Sequence, residues 1–227
     1  MSRFEPHFEV LPPAQREVWP QLAPGVGSGL VLYGGTAIAL RLGHRTSVDF
    51  DFFTNNPLDQ QGLEQEFHFL SEATVIQSQQ NTLSVVLPSA DSTVKISFFG
   101  NIGSGRVGSP QRTSDGIVEV ASLVDLLATN LKVILQRIEA KDYMDIAAIL
   151  RSGASLEEGL AAATALYPAS FQPSEALKAL TYFRGGDLDR LPTTDKAILT
   201  RGVTAIRRIP VFGLAARRLS GDLGHDG

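Results

Sequence analysis

The period of the apolar positions changes twice along this chain. Residues 30–33 form a short apolar run bounded by glycines and read as a buried strand. Residues 36–42 follow a helical period that Gly43 ends. Residues 48–53 read as a second strand. Upstream, residues 12–22 predict a short helix opened by proline; downstream, residues 60–72 predict another. Residues 82–87 and 93–99 predict two strands joined by 88–92, a hairpin. Residues 100–116 hold five glycines and one proline and are expected to be a mobile loop, followed by a short strand over 117–120. From Ser122 the period is helical. Leu123, Leu126, Leu127, Leu131, Ile134 and Ile138 fall on one stripe, and helix continues over 144–150 up to Gly153. Residues 155–166, 174–184 and 193–208 predict three more helices, separated by Pro168, Pro173, Gly185-Gly186 and Pro192. The class is therefore α+β, with an α+β part over 1–121 and a helical region packing on it over 122–227.

Composition narrows the chemistry. The 227 residues are 43% apolar and 19% charged, enough for one sizeable core and unlike a disordered chain. The net charge of −4 argues against a strongly basic nucleic-acid binder, although a local basic patch can sit inside an acidic total. The absence of cysteine excludes disulfides, thiolate metal sites and cysteine nucleophiles. His7, His68 and His225 show no ligand spacing, which argues against zinc. The segment Met1-Ser2-Arg3-Phe4-Glu5-Pro6 has no apolar signal core, and no stretch approaches the ~20 apolar residues of a membrane span. The cytoplasm is the expected location.

Two local patterns carry candidate chemistry. The predicted strand before Gly34-Gly35 runs into a helix after it. Glycine has no Cβ, so backbone N–H groups there can approach a phosphate, and the helix N-terminus adds partial positive charge. Thr36 could cap that helix and offer its hydroxyl to the same phosphate. On the second strand, alternation places Asp49 and Asp51 on one face and Val48, Phe50 and Phe52 on the other. Two adjacent carboxylates repel unless a cation lies between them, and hard oxygen ligands suit Mg²⁺ or Mn²⁺ shared with substrate phosphates.

The string Gly34-Gly35-Thr36-Ala37-Ile38-Ala39-Leu40-Arg41-Leu42-Gly43-His44-Arg45-Thr46-Ser47-Val48-Asp49-Phe50-Asp51-Phe52-Phe53 resembles the AbiEii/AbiGii toxin family of nucleotidyltransferases, within the superfamily that includes DNA polymerase beta. Leu126-Leu127-Ala128-Thr129, Gln136-Arg137, Lys141-Asp142-Tyr143 and Asp145 match that family in register, so the resemblance covers about residues 30–150. It implies a small mixed or antiparallel sheet flanked by helices. It implies Asp49 and Asp51 as catalytic, metal-holding residues, and a nucleoside triphosphate bound on Gly34, Gly35 and Thr36. The implied acceptor is an RNA, often a tRNA end, or a protein side chain; the implied partner is the antitoxin of a toxin–antitoxin pair.

Two positions depart from the family pattern. Ser97 is expected to face the site where a third carboxylate is usual, and Asn130 stands where a lysine is usual, able to hydrogen-bond a nucleotide phosphate but bringing no charge. At 100° per residue Asn130 lies about 50° from the centre of the apolar stripe and Lys132 about 150° from it, so Lys132 is no substitute. Asn130, Arg137 and Lys141 share a side if the helix is continuous. Arg137 would then reach nucleotide, or else pair with Asp142 or Asp145. Arg45 would contact phosphate or acceptor, or else neutralise the Asp pair, as Arg41 could; His44 is expected to be a loop hydrogen-bond partner. Arg201, Arg207, Arg208, Arg217 and Arg218 make either an RNA-docking surface or a solvated helix face. The departures leave a second reading open, a weakened or inactive relative that binds a nucleotide or a protein.

Overall fold

The computed structural model describes residues 2–89 and 92–221; Ala90 and Asp91, part of the expected join over 88–92, and His225 lie outside them. The chain forms two compact units. The first holds the chain up to Gly105, Ser109–Ala121 and the chain from Ala216 on; the second holds Arg106–Gly108 and Ser122–Ala215.

The first unit is built on a mixed sheet of eight strands among the described residues. They are β1 (Arg3–Phe4), β2 (Val31–Tyr33), β3 (Asp49–Phe53), β4 (Thr74–Gln79), β5 (Thr82–Pro88), β6 (Thr93–Phe99), β7 (Gln111–Thr113) and β8 (Glu119–Val120). Their order is β1-β7-β8-β2-β3-β6-β5-β4. The helices are α1 (Pro13–Val18), α2 (Pro24–Gly27), α3 (Gly34–Leu42) and α4 (Gln60–Glu66). The expected strands are all present, with 3-10 turns at Trp19–Leu22 and His68–Glu72 extending two of the expected helices. The predicted hairpin is the antiparallel pair β5–β6, with Leu87 opposite Val94.

Three strands were not expected. β4 is exposed at all six positions, because it is an edge strand held by backbone pairing to β5 rather than by a buried face. β1 and β7 are very short, and β7 lies inside the glycine-rich segment expected to be a loop.

The core sits on one face of β3 and β6. Phe50, Phe52, Val94, Ile96 and Phe98 are essentially closed to solvent. Phe52 and Phe98 stack at 5.7 Å, and Phe67 lies tilted on Phe98 at 5.3 Å. Each fully buried ring of this kind contributes roughly 1.5–3 kcal/mol. Val48, expected on this face, is 50% exposed, since the strand begins only at Asp49. Arg41, from the last turn of α3, donates to the carbonyl oxygens of Val120 (3.0 Å) and Ala121 (2.9 Å) and to Gln111 Oε1 (2.7 Å). Its guanidinium also lies 4.4 Å from the Phe4 ring centroid. Arg41 is therefore a strut between α3 and strands β7 and β8, and does not neutralise the Asp pair.

The second unit is helical: α5 (Leu123–Val133), α6 (Ala140–Arg151), α7 (Leu156–Leu166), α8 (Pro173–Ala179) and α9 (Thr193–Ala205). Ser122 caps α5 by accepting from the Asp125 N–H at 3.2 Å. The Asp125 carboxylate receives Ser122 Oγ and the N–H groups of Val107 and Gly108; burial raises its pKa while these bonds act the other way. Gly159 lets α7 approach α5, since a Cβ there would stand 2.4 Å from Leu127 Cδ2.

The helix expected to be continuous from Ser122 is broken. After Val133 the chain turns, with Gln136 N–H donating to the Val133 carbonyl at 2.8 Å, and extended Glu139 leads into α6. Ile138, expected on the buried stripe, is 47% exposed. The first N–H of α6, that of Ala140, donates to Asp187 Oδ1 at 2.6 Å, a cap supplied from a distant loop. The common side expected for Asn130, Arg137 and Lys141 therefore does not exist as one helix face. The helix expected over 193–208 ends at Ala205, so Arg207 and Arg208 lie beyond it.

Arg41 is held below its usual range, to about 10, by burial, and so stays charged at neutral pH. Because its folded pKa lies below the unfolded value, its protonation gives no stability gradient near pH 7; stability would rise only above about pH 10. The substitution Arg41→Met leaves two backbone carbonyls without their donor. It should lower the free energy of unfolding in urea by about 1–3 kcal/mol, and Arg41→Lys should restore only part of this.

Candidate functional site

The second face of β3 carries the candidate chemistry. Asp49, Asp51 and Phe53 alternate with the buried Phe50 and Phe52 and are half-buried. β2 pairs with β3 antiparallel, placing Tyr33 opposite Asp51. The residue after Tyr33 is Gly34, with φ of +72°, and it starts α3. A Cβ at Gly34 would stand 2.9 Å from Asp51 Oδ2. The turn and the carboxylate are thus in close contact, and the glycine satisfies two demands at once: a left-handed backbone and room for Asp51.

Tyr33 is the N-cap of α3 and no side chain caps the helix from that position. Thr36 is in the first turn, two residues beyond the helix start, rather than at the cap. It is 2% exposed, and its hydroxyl donates to the Asp49 carbonyl oxygen and lies 2.8 Å from Ser47 Oγ. In the structure Thr36 fixes the start of β3 against α3, and so sets the height of Asp49 relative to the glycine turn.

On its other side β3 pairs with β6 in parallel, with Asp49 opposite Lys95 and Asp51 opposite Ser97. Ser97 therefore does share the acidic face, as alternation predicted. It is 1% exposed and its hydroxyl lies 3.1 Å from Ser84 Oγ on β5. Where the resemblance implies a third carboxylate, this chain has a closed hydroxyl pair. Lys95 passed unnoticed in the sequence; alternation puts it on the same face as Ser97, but only the strand register sets it beside Asp49. Two positions on from the acids the face turns aromatic, with Phe53 stacked on Phe99 at 4.8 Å and Tyr33 edge-on to Phe53 at 5.2 Å.

Gly34, Gly35, Thr36, Asp49 and Asp51 are thus gathered around one turn of the first unit. Arg45 lies in the connection from α3 to β3, where one of its guanidinium contacts is a 3.1 Å bond to the Thr46 carbonyl. Asn130 and Arg137 belong to the second unit. Asn130 is buried, and its side-chain amide donates back to the Leu126 carbonyl at 2.9 Å. Arg137 grips Asp142 with two bonds, Nε to Oδ2 at 2.8 Å and Nη2 to Oδ1 at 2.9 Å. The expected pairing of Arg137 with Asp142 is present. Lys132 donates to the Ser170 carbonyl. The five C-terminal arginines are not one helix face: only Arg201 is in α9, while Arg217 and Arg218 belong to the first unit.

Among the described residues no group of three or more His, Asp or Glu side chains is placed to hold a metal. The donor set at the turn is the pair Asp49 and Asp51. Two carboxylates of this kind would suit a hard divalent cation such as Mg²⁺ or Mn²⁺. The contact of Asp51 with Gly34 points the same way. An anion bound at the turn and the Asp51 carboxylate repel each other, and a cation between them makes both tenable.

A strand entering a glycine turn and helix, set against an Asp-x-Asp strand in a mixed sheet, defines a nucleotidyltransferase-type core. The sequence matches the family described as nucleotidyl transferase AbiEii toxin, type IV toxin–antitoxin system, over residues 22–201, and the chain belongs to that family. It is 30% identical over 129 residues to an uncharacterised protein of Aquifex aeolicus (strain VF5), a match covering 56% of this chain and 60% of that relative's length. The fold is similar to that of MenT4, a nucleotidyltransferase toxin from Mycobacterium tuberculosis H37Rv. The TM-score is 0.54 at 13% identity, over 86% of this chain and 84% of that one.

The substitution Gly34→Ala tests the turn. It forces a side chain into a left-handed backbone and against Asp51, and should destabilise the protein by about 1–2 kcal/mol. Calorimetry should show Mn²⁺ affinity falling as well; unchanged affinity would separate the turn from the carboxylates.

Proposed function

We propose that this protein is a metal-dependent nucleotidyltransferase that moves a nucleotide from a nucleoside triphosphate to an RNA acceptor. We further propose that it does so in the cytoplasm, as the toxin of a toxin–antitoxin pair. The observation that carries the reading is the placement of Asp51 against Gly34 at the start of α3 with Asp49 beside it on the same strand face. Family membership supports the reaction class. No helix among the described residues is long and apolar enough to cross a membrane, in keeping with a chain acting in solution.

The triphosphate would lie on the Gly34-Gly35 turn, where backbone N–H groups and the helix N-terminus favour anions. Asp49 and Asp51 would hold Mg²⁺ or Mn²⁺, which supplies charge neutralisation and alignment for an in-line displacement. The acceptor's hydroxyl oxygen bonds to the α-phosphorus, the bond to the bridging oxygen breaks, pyrophosphate leaves, and the hydroxyl proton is lost to water. Thr36 serves this by holding the Asp strand at its height on α3, and Gly34 by leaving Asp51 room.

A second reading has its own observations. The Ser97 hydroxyl is tied to Ser84 where a third acid is usual, and the Asn130 amide is turned back onto its own helix where a lysine is usual. These favour a relative that binds nucleotide with little or no transfer.

Incubation with each of the four labelled triphosphates, Mg²⁺, and total RNA or total protein separates the readings. Transfer to RNA supports the first; label in protein instead would move the acceptor; triphosphate binding without transfer supports the second. Where transfer occurs, Asp49→Ala or Asp51→Ala should lower it by about 1,000-fold or more, because several kcal/mol of charge stabilisation is lost. Restoring the family's cation with Asn130→Lys should raise the rate by about 10-fold or more if residue 130 limits it.

A further inference from the structure

The acidic face of β3 is flanked on both sides. β2 and the glycine turn lie on one side of β3, and β6 lies on the other. β6 offers this face two polar side chains beside the acids. Ser97, opposite Asp51, is buried and bonded to Ser84. Lys95, opposite Asp49, is half-buried. Parallel partners share a face, and neighbouring strands are about 4.8 Å apart, so the Lys95 stem rises directly beside Asp49. Yet Lys95 makes no ion pair with Asp49, or with any other acid, among the described residues. Its chain neighbours Val94 and Ile96 face the core, so Lys95 stands half-buried on the acidic face of an inner strand, an unusual placement for a cation that only solubilises.

Given the nucleotidyltransferase reading above, on which this rests, we propose that Lys95 is a phosphate-contacting residue of the site. A nucleoside triphosphate carries more negative charge than one divalent cation and a helix N-terminus neutralise. The glycine turn covers the polyphosphate from the β2 side, Asp49 and Asp51 hold it through the cation, and Lys95 supplies the positive charge from the β6 side. Lysine acts here as a point charge on a flexible stem, which suits a polyphosphate. The family pattern places its lysine at position 130, where this chain has asparagine; Lys95 puts a cation on the sheet itself.

The test uses the full chain and its variants Lys95→Met and Lys95→Arg. Met keeps the length and apolar contacts of the stem, so the fold should survive; thermal melting checks this. Calorimetry follows inorganic tripolyphosphate in the presence of Ca²⁺, and Mn²⁺ alone in separate titrations. Loss of a charge-assisted contact should weaken tripolyphosphate binding by about 10- to 100-fold in Lys95→Met, with Arg restoring most of it. The salt dependence of binding should become shallower in Lys95→Met. Mn²⁺ affinity should hold or rise, because a cation beside Asp49 has been removed. Equal tripolyphosphate binding by wild type and Lys95→Met overturns the assignment while leaving the site intact. A fall in Mn²⁺ affinity that accounts for the whole loss also overturns it, making Lys95 a support for Asp49. If the wild type binds neither Mn²⁺ nor tripolyphosphate, the nucleotidyltransferase reading itself fails and this one with it.

Discussion

The alternation of Asp49, Phe50, Asp51 and Phe52 along one strand is the constraint on which the rest depends. Phe50 and Phe52 anchor β3 in the core with Phe98 of the neighbouring strand. With one face so fixed, the carboxylates have no other orientation open to them, because slipping the register by one residue would bury both acids and expose both rings. Burying two carboxylates in the apolar core is far more costly than any gain from altered pairing. The acids are thus held to their face by the hydrophobic effect acting on their neighbours. The two carboxylates are thus preorganised by packing alone.

Around that strand each neighbour limits what the acids can do. Gly34 gives Asp51 space on one side, and Thr36 locks the β3 start to α3 through the Asp49 carbonyl. On the other side Ser97 is closed by Ser84, so the donor set stops at two carboxylates. A cation held as proposed by two carboxylates would leave most of its coordination sphere to water and phosphate, so its affinity would depend on the triphosphate. The chain's membership of a nucleotidyl transferase toxin family fits such a site.

Much of this was legible in the sequence for specific reasons. The strand–turn–helix of β2, Gly34 and α3, and the Asp face of β3, follow from glycine chemistry and a period of two, both local properties. Ser97 was placed on the acidic face by the same alternation. What escaped was non-local. Lys95 acquires meaning only from the β3–β6 register, which no single-strand pattern contains. Thr36, expected at the helix cap, lies in the first turn instead, and its hydroxyl donates to a carbonyl on another element. The break between α5 and α6 has no proline or glycine to mark it; it is stabilised by the Arg137–Asp142 pair and by Asp187 capping Ala140 from a distant loop. β4 was invisible because an edge strand needs no buried face.

The central claim is that Asp49, Asp51 and the Gly34 turn form a single cation and triphosphate site. A crystal soaked with Mn²⁺ and a non-hydrolysable nucleoside triphosphate tests it most directly, through anomalous scattering at the manganese edge. The account predicts a peak bonded to carboxylate oxygens of both Asp49 and Asp51, with phosphate oxygens completing its shell and the polyphosphate against the Gly34-Gly35 backbone. A nucleotide bound elsewhere, or no anomalous peak between the two carboxylates at saturating Mn²⁺, would contradict it.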